Sequence, residues 1–148
     1  MTLKVDVQYA FARPGLPTVE QLRTWAAAAA LGARQAEVVV RIVGEDESAR
    51  LNQHYRHQCG PTNVLSFSFE APLQVSLPLL GDLVLCAPVI AREARAQAKL
   101  DSSHWAHMVV HGMLHLQGYN HATDAQAREM EKLEIEIMAR LGFDNPYE

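Results

Sequence analysis

Five of the seven histidines fall between His104 and His121, and the last three stand at His111, His115 and His121, with Gly118 between the second and third. No other feature constrains the local fold as tightly. Residues four apart lie on one helix face with about 6 Å of rise between them. The imidazoles of His111 and His115 can therefore converge on one point. The next turn of the same helix cannot supply a third, because His107 and His115 are about 12 Å of rise apart. The chain must turn back, and Gly118 is the break that brings His121 round. Three protein ligands with an open fourth position describe a catalytic zinc site, whereas a structural site is closed by a fourth ligand. The alternative is a set of surface or core histidines with no metal. A third histidine after a glycine, beside Met108, Val109, Val110, Met113 and Leu114, favours the metal centre. His104 and His107, two turns and one turn earlier, read as groups that flank or support the ligands without binding the ion.

The remaining elements follow from hydrophobic period and punctuation. Leu3, Val5, Val7 and Tyr9 alternate with polar residues as a half-buried strand. Thr18 and Gln21 form a capping box that opens a helix closed by Gly32. Residues 38–43 are a β-branched second strand, and Asp46 is placed to cap a short helix running to about Tyr55. Leu65, Phe67 and Phe69 alternate as a third strand, and after a Pro-containing loop and Gly81, residues 83–86 form a fourth. Pro88 suits a helix's first turn, and that helix is expected to reach about Leu100. Asp101 or Ser102 starts the helix that carries the histidines to Leu116. A second capping box, Thr123 with Gln126, opens a last helix with Met130, Leu133, Ile137 and Leu141 on its apolar face. Glu129, Glu131, Lys132, Glu134 and Glu136 read as its solvated face. The fold class is α/β (α+β): a small mixed sheet of about four strands packed with about five helices.

The spacing H-x-x-x-H-x-x-G-x-x-H matches the metzincin protease helix, in which a Glu follows the first histidine as general base. Here that residue is Gly112. The ligand spacing is a protease's, but the group that activates water for peptide hydrolysis is missing. Another hydrolysis is favoured, with a charge-stabilising partner for the transition state. Arg56, at a helix-to-loop junction ahead of a strand, has the planar guanidinium to clamp a phosphate. Taken alone it would be a surface ion-pair residue. Asp82, inside an apolar strand, either orients a ligand histidine or caps a loop at the strand's edge.

One hundred and forty-eight residues with 49% hydrophobic and 20% charged content suit a single globular domain spanning 1–148, and exclude disordered, collagenous and coiled-coil classes. Cys59 and Cys86 are too few and too far apart for a disulfide scaffold or a C-x-x-C motif. No signal peptide is visible, and the longest apolar run (residues 25–31) is far shorter than a membrane span of about 20 residues. Thirteen basic against seventeen acidic residues give a formal charge of −4. That balance argues against a general nucleic-acid coat and leaves room for a local basic groove. Arg92, Arg95 and Lys99, at i, i+3 and i+7, share a helix face that is either solvated or a phosphate-contacting stripe.

Together these segments resemble the YbeY family, the bacterial metal-dependent endoribonucleases of ribosomal RNA maturation. The resemblance covers nearly the whole chain. It runs through residues 55–69, residues 80–85, Trp105-Ala106-His107 leading into 111–121, and the closing helix from Met130-Glu131 to Gly142 with Pro146-Tyr147 after it. It implies His111, His115 and His121 as ligands of one Zn2+ per chain and Arg56 as the catalytically important arginine. It also implies cleavage of RNA in small-subunit rRNA 3′-end maturation and ribosome quality control. The implied partners are ribosomal RNA and the ribosome or its proteins, in the cytoplasm with no membrane. A metalloprotease-like amide hydrolase and a non-catalytic, metal-stabilised ribosome assembly factor are the alternatives. The chain departs from the family pattern at Asn120 and Asn63, where Asp is common, and at Ser68, where Pro is usual. Either asparagine can still accept a hydrogen bond but offers no carboxylate base.

Overall fold

The structure, a computed structural model, describes residues 2–32, 35–68 and 79–148. In chain order its elements are β1 (Leu3–Tyr9), α1 (Val19–Ala28), β2 (Ala36–Val43), α2 (Glu45–Arg56), β3 (Val64–Ser68), β4 (Leu79–Cys86), α3 (Ala87–Ala96), α4 (Asp101–Leu116) and α5 (Asp124–Arg140). The four strands form one sheet in the order β1-β2-β4-β3. β1 with β2 and β2 with β4 run parallel, while β3 pairs antiparallel with β4 and forms an edge. This is the mixed α/β arrangement expected from the alternation of strand and helix signals.

The two interior strands bury side chains on both faces, which accounts for their Val, Ile and Leu content. Val38, Val40, Ile42, Leu83 and Leu85 face a core shared with Leu22, Trp25, Met113, Leu114, Met130, Ile137 and Met138. Val43, Leu65, Val84 and Cys86 form a smaller cluster on the other face, with Leu51 of α2 against it. Both cysteines are free thiols, Cys59 exposed and Cys86 buried. Both capping boxes form: Thr18 with Gln21 and Thr123 with Gln126 exchange side-chain and backbone hydrogen bonds at the starts of α1 and α5.

One close approach decides where α4 lies. A Cβ on Gly112 would fall 2.7 Å from Leu83 Cδ2, 3.2 Å from Val64 Cγ2 and 3.3 Å from Ser66 Oγ. Glycine therefore lets the helix settle directly on β3 and β4, and the Ser66 hydroxyl donates to the Gly112 carbonyl at 3.3 Å. This contact brings the histidine helix to the sheet's free edge.

Several local expectations need correction. Asp46 does not cap α2: the N-cap is Gly44, and Glu45, Asp46 and Glu47 all lie in the first turn, where their charges suit the helix dipole. α1 ends at Ala28, four residues before Gly32, because Gln117 of the neighbouring helical segment reaches across to its end. The Gln117 amide accepts from Leu31 N–H at 2.7 Å and donates to the Ala29 carbonyl at 2.7 Å. β4 begins at Leu79, earlier than the apolar run suggests, and β2 begins at Ala36. α3 stops at Ala96, because Ala98 takes a left-handed conformation (φ 53°) and Lys99 N–H turns back to the Ala94 carbonyl. Lys99 therefore leaves the face of Arg92 and Arg95. Its ammonium donates to the Pro146 carbonyl, and Arg92 pairs with Glu45. The basic stripe does not form. Phe69 and most of the Pro-containing loop, expected beside the third strand, lie outside the described residues.

Candidate metal centre

α4 presents His111 and His115 one turn apart, with their Nε2 atoms 3.0 Å from each other. The helix then ends as the sequence requires. Gly118 adopts φ 99°, its N–H bonds the His115 carbonyl, and Tyr119 N–H reaches back to the Leu114 carbonyl. This Schellman pair reverses the chain. His121 returns over the helix end, its ring centroid 5.2 Å from that of His115 and 5.8 Å from that of His111. One nitrogen from each of the three rings lies within 4.8 Å of the others. The structure thus brings all three candidate ligands together.

The donor chemistry of the pair identifies what would join them. His115 Nδ1–H donates to the Tyr119 carbonyl at 2.9 Å, and His111 Nδ1 faces Glu134 Oε1 at 3.4 Å. With both Nδ1 atoms turned to acceptors, both Nε2 atoms carry lone pairs. Two such lone pairs can share one cation, whereas without an ion the 3.0 Å contact has the length of a single N–H···N hydrogen bond. Two imidazole nitrogens on one tetrahedral zinc, each about 2.0–2.1 Å from the metal, stand about 3.3 Å apart. The residues fit such an ion. Burial, reinforced by the repulsion that a protonated His111 would exert, pushes the His115 pKa below its usual value and favours the ligating form of the ring.

Glu134 corrects the reading of the last helix. It does not belong to a solvated face: it is 1% exposed, on the α5 surface that packs against α4. Its carboxylate accepts from His107 Nε2–H at 2.5 Å and from the Tyr147 hydroxyl at 2.9 Å, both at Oε2, while Oε1 faces His111. Burial alone would raise its pKa, but the hydrogen bonds from His107 and His111 outweigh it and hold the carboxyl down at about 2. The sequence carried the signal: Met130, Glu134, Ile137 and Met138 recur at i, i+4, i+7 and i+8, which puts Glu134 within the apolar stripe. His107 is therefore linked to the candidate ligand His111, one turn on, through the Glu134 carboxylate. His104 turns elsewhere, bonding Glu93 Oε1 at 2.8 Å.

Arg56 ends α2, just before His57 takes a left-handed conformation (φ 56°). Its Nη2 donates to the Ser66 carbonyl at 2.7 Å, on edge strand β3, and its guanidinium sits 5.8 Å from the Phe67 ring centre. Arg56 and the three histidines line one cleft of about 680 Å³, within the range of ligand sites. Asn52, Asn63, Ser66, Ser68 and Asn120 also line it, and no lining residue is acidic among the described residues. Among the described residues, a chain of net charge −4 thus opens a polar cleft whose one fixed charge is Arg56. Two further residues, not foreseen from the sequence, shape the rim. Asn52 donates to the Gly60 carbonyl at 2.9 Å, and the Ser48 hydroxyl exchanges hydrogen bonds with the backbone of Thr62.

The asparagines at departing positions have distinct partners. Asn63 donates to both oxygens of Glu93, at 3.0 and 3.2 Å, and accepts from Val64 N–H. Asn120 accepts from Ala122 N–H in the turn that carries His121. Asp82 is exposed, and its register neighbours are Val39 and Phe67. It points away from the face on which Leu83 and Ser66 meet Gly112, so it does not orient a ligand histidine.

Comparisons with known proteins agree with this architecture. The solution structure of a Thermotoga maritima protein superposes with a TM-score of 0.55 at 24% identity, covering 91% of each chain, and shows the same fold. The curated Endoribonuclease YbeY of Nitrosococcus oceani is 48% identical over 151 residues, covering 100% of this chain and 99% of the relative. The family model described as Endoribonuclease YbeY matches residues 17–142. The chain belongs to the YbeY family of endoribonucleases.

Proposed function

We propose that the chain is a zinc-dependent endoribonuclease in which His111, His115 and His121 hold one Zn2+ and Arg56 stabilises charge on the scissile phosphate. The observation that carries this reading is the pair of facing Nε2 atoms on His111 and His115, with His121 folded back beside them. When bound, the ion supplies Lewis acidity and lowers the pKa of the water that attacks phosphorus. The three imidazoles fix its place at one wall of the cleft. Among the described residues Arg56 has guanidinium donors beyond its bond to Ser66 with no partner, and these suit the non-bridging oxygens whose charge grows in the pentavalent transition state. The amides and hydroxyls of Asn52, Asn63, Ser66 and Ser68 are neutral partners for a polyanion's sugars and bases.

A protease-like chemistry is disfavoured on geometry as well as composition. The position after His111 lies against Leu83 and Val64, so no glutamate fits there. In the cell the substrate in this reading is ribosomal RNA, at the 3′ end of the small-subunit RNA and in ribosome quality control in the cytoplasm. With net charge −4 and one fixed cation in the cleft among the described residues, affinity for naked RNA is weak and salt-sensitive. A ribosomal protein partner then delivers the substrate.

The test is metal analysis joined to RNA cleavage, with and without chelator, on wild type and on Arg56→Ala. One zinc per chain, loss of cleavage on chelation, and a fall of 100-fold or more in Arg56→Ala with zinc retained are expected. Full cleavage after verified metal removal overturns the mechanism. Zinc binding without any cleavage points to the non-catalytic assembly factor.

A further inference from the structure

We propose that Glu134 is a positioning residue for the metal centre: fastened by His107 and Tyr147, its carboxylate holds His111 with Nδ1 protonated and Nε2 turned to the ion. The inference rests on the reading that His111, His115 and His121 are the ligands. His111 and His115 differ in how their rings are held. His115 Nδ1 is bonded within its own helix end, to the Tyr119 carbonyl at 2.9 Å. His111 lies mid-helix, where backbone carbonyls are engaged in the helix itself, and its Nδ1 faces only the side chain of Glu134 from α5. A carboxylate free to rotate would fix nothing. Oε2 is therefore tied twice, by His107 and by the Tyr147 hydroxyl, which leaves Oε1 aimed at His111. The Tyr147 ring packs edge-on against His107, 5.3 Å between centroids, so the two fasteners brace each other.

The same atoms invite another reading, a second ion among His107, His111 and Glu134. The hydrogen bonds argue against it. Oε2 already receives two protons, the His107 nitrogen nearest the carboxylate is one of those donors, and the His111 Nε2 lone pair points to His115. A carboxylate–histidine–metal series describes all of these contacts with one ion.

The experiment measures the zinc affinity of the full-length chain at neutral pH by competition with a chromophoric chelator, for wild type, Glu134→Gln and Tyr147→Phe. Glutamine keeps the shape of Glu134 but has one acceptor oxygen in place of two, so His107 and His111 compete for it. Glu134→Gln is expected to bind zinc 10–100-fold more weakly. Tyr147→Phe, which removes one hydroxyl near the surface, loses less in the same direction. The zinc-loaded wild type shows a slowly exchanging His111 Nδ1–H resonance by NMR, and Glu134→Gln loses it. Thermal unfolding of the metal-free chains is followed in parallel. A lowered melting temperature with unchanged zinc affinity in both variants makes Glu134 a purely structural residue and overturns the proposal. Two zinc ions per wild-type chain overturn it in favour of the second ion site. If Glu134→Gln does not fold, Tyr147→Phe decides by its affinity alone. If wild type binds no zinc, or His115→Ala binds it as tightly as wild type, the ligand assignment itself falls and the proposal with it.

Discussion

Two histidine–carboxylate clusters are built on α4, and they differ in depth. In the outer one, His104 bonds Glu93 of α3, whose side chain is 32% exposed and whose two oxygens also accept from the Asn63 amide nitrogen. In the inner one, His107 bonds Glu134 of α5, which is 1% exposed and also faces Tyr147 and His111. Three residues along the helix separate the two histidines, enough to turn one toward α3 and the other toward α5. The outer cluster ties α4, α3 and the start of β3 together, and it ends there. The inner cluster continues into a candidate ligand. A histidine beside a carboxylate is thus a strut or part of a metal centre according to what the carboxylate's other oxygen meets.

The depth of the two carboxylates sets the size of the expected effects. Glu134→Ala strands the buried His107 donor in the interior and should cost about 3 kcal/mol in urea unfolding of the metal-free chain, whereas Glu93→Ala, with solvent available to the site, should cost about 1 kcal/mol. Equal losses would erase the distinction between the clusters. Gly112→Ala probes the side of α4 that touches the sheet. Its methyl group meets Leu83 at 2.7 Å, and a loss of about 2 kcal/mol is expected. Wild-type stability there would mean that the helix lifts from β4 at no cost, and cleft geometry would then be expected to change as well.

Acid sharpens the comparison further. Glu134 has a folded-state pKa lowered from 4.5 to about 2, so the stability it contributes is complete above pH 4.5 and is lost as pH falls toward about 2. The gap between wild type and Glu134→Gln, followed by unfolding at pH 6 and again at pH 3, should therefore narrow in acid. His104 behaves differently: burial lowers its pKa despite Glu93, so its neutral form is favoured by folding. Its contribution is complete above its ordinary value of 6.5 and declines as pH drops below that. His104→Gln should flatten the stability profile between about pH 6.5 and 5 and leave metal stoichiometry unchanged. The smallest effect belongs to Asn63→Asp, which replaces a donor to Glu93 with a second carboxylate. A loss of roughly 0.5 kcal/mol at neutral pH is expected in thermal melts.

Elements whose signals are local were legible. The capping boxes at Thr18 and Thr123 use atoms within three residues, and the His111/His115 pair followed by Gly118 is a statement about one helix and its end. Misreadings came where a distant segment intervened. Gln117, 86 residues from Leu31, ends α1 before its glycine. Lys99 leaves its helix at an alanine, Ala98, whose left-handed backbone has no marker in residue type. Glu134 was read by its charge, although its spacing with Met130 and Ile137 placed it inward. A carboxylate at a core position is stable only if donors await it, and those donors, His107 and Tyr147, come from elsewhere in the chain.

The sequence by itself determined how the candidate ligands of the histidine helix converge, because helical rise and a glycine turn are short-range and depend on few atoms. It also determined the strand and helix inventory and the absence of a base after His111. Tertiary structure alone decided what surrounds those candidate ligands. Packing of α4 onto β3 through Gly112 set Arg56 in the same cleft, and packing of α5 onto α4 buried one glutamate among three donors. Burial strengthens every polar contact it encloses and penalises every one left unmet. The role of a charged residue is therefore fixed only when its neighbours are known.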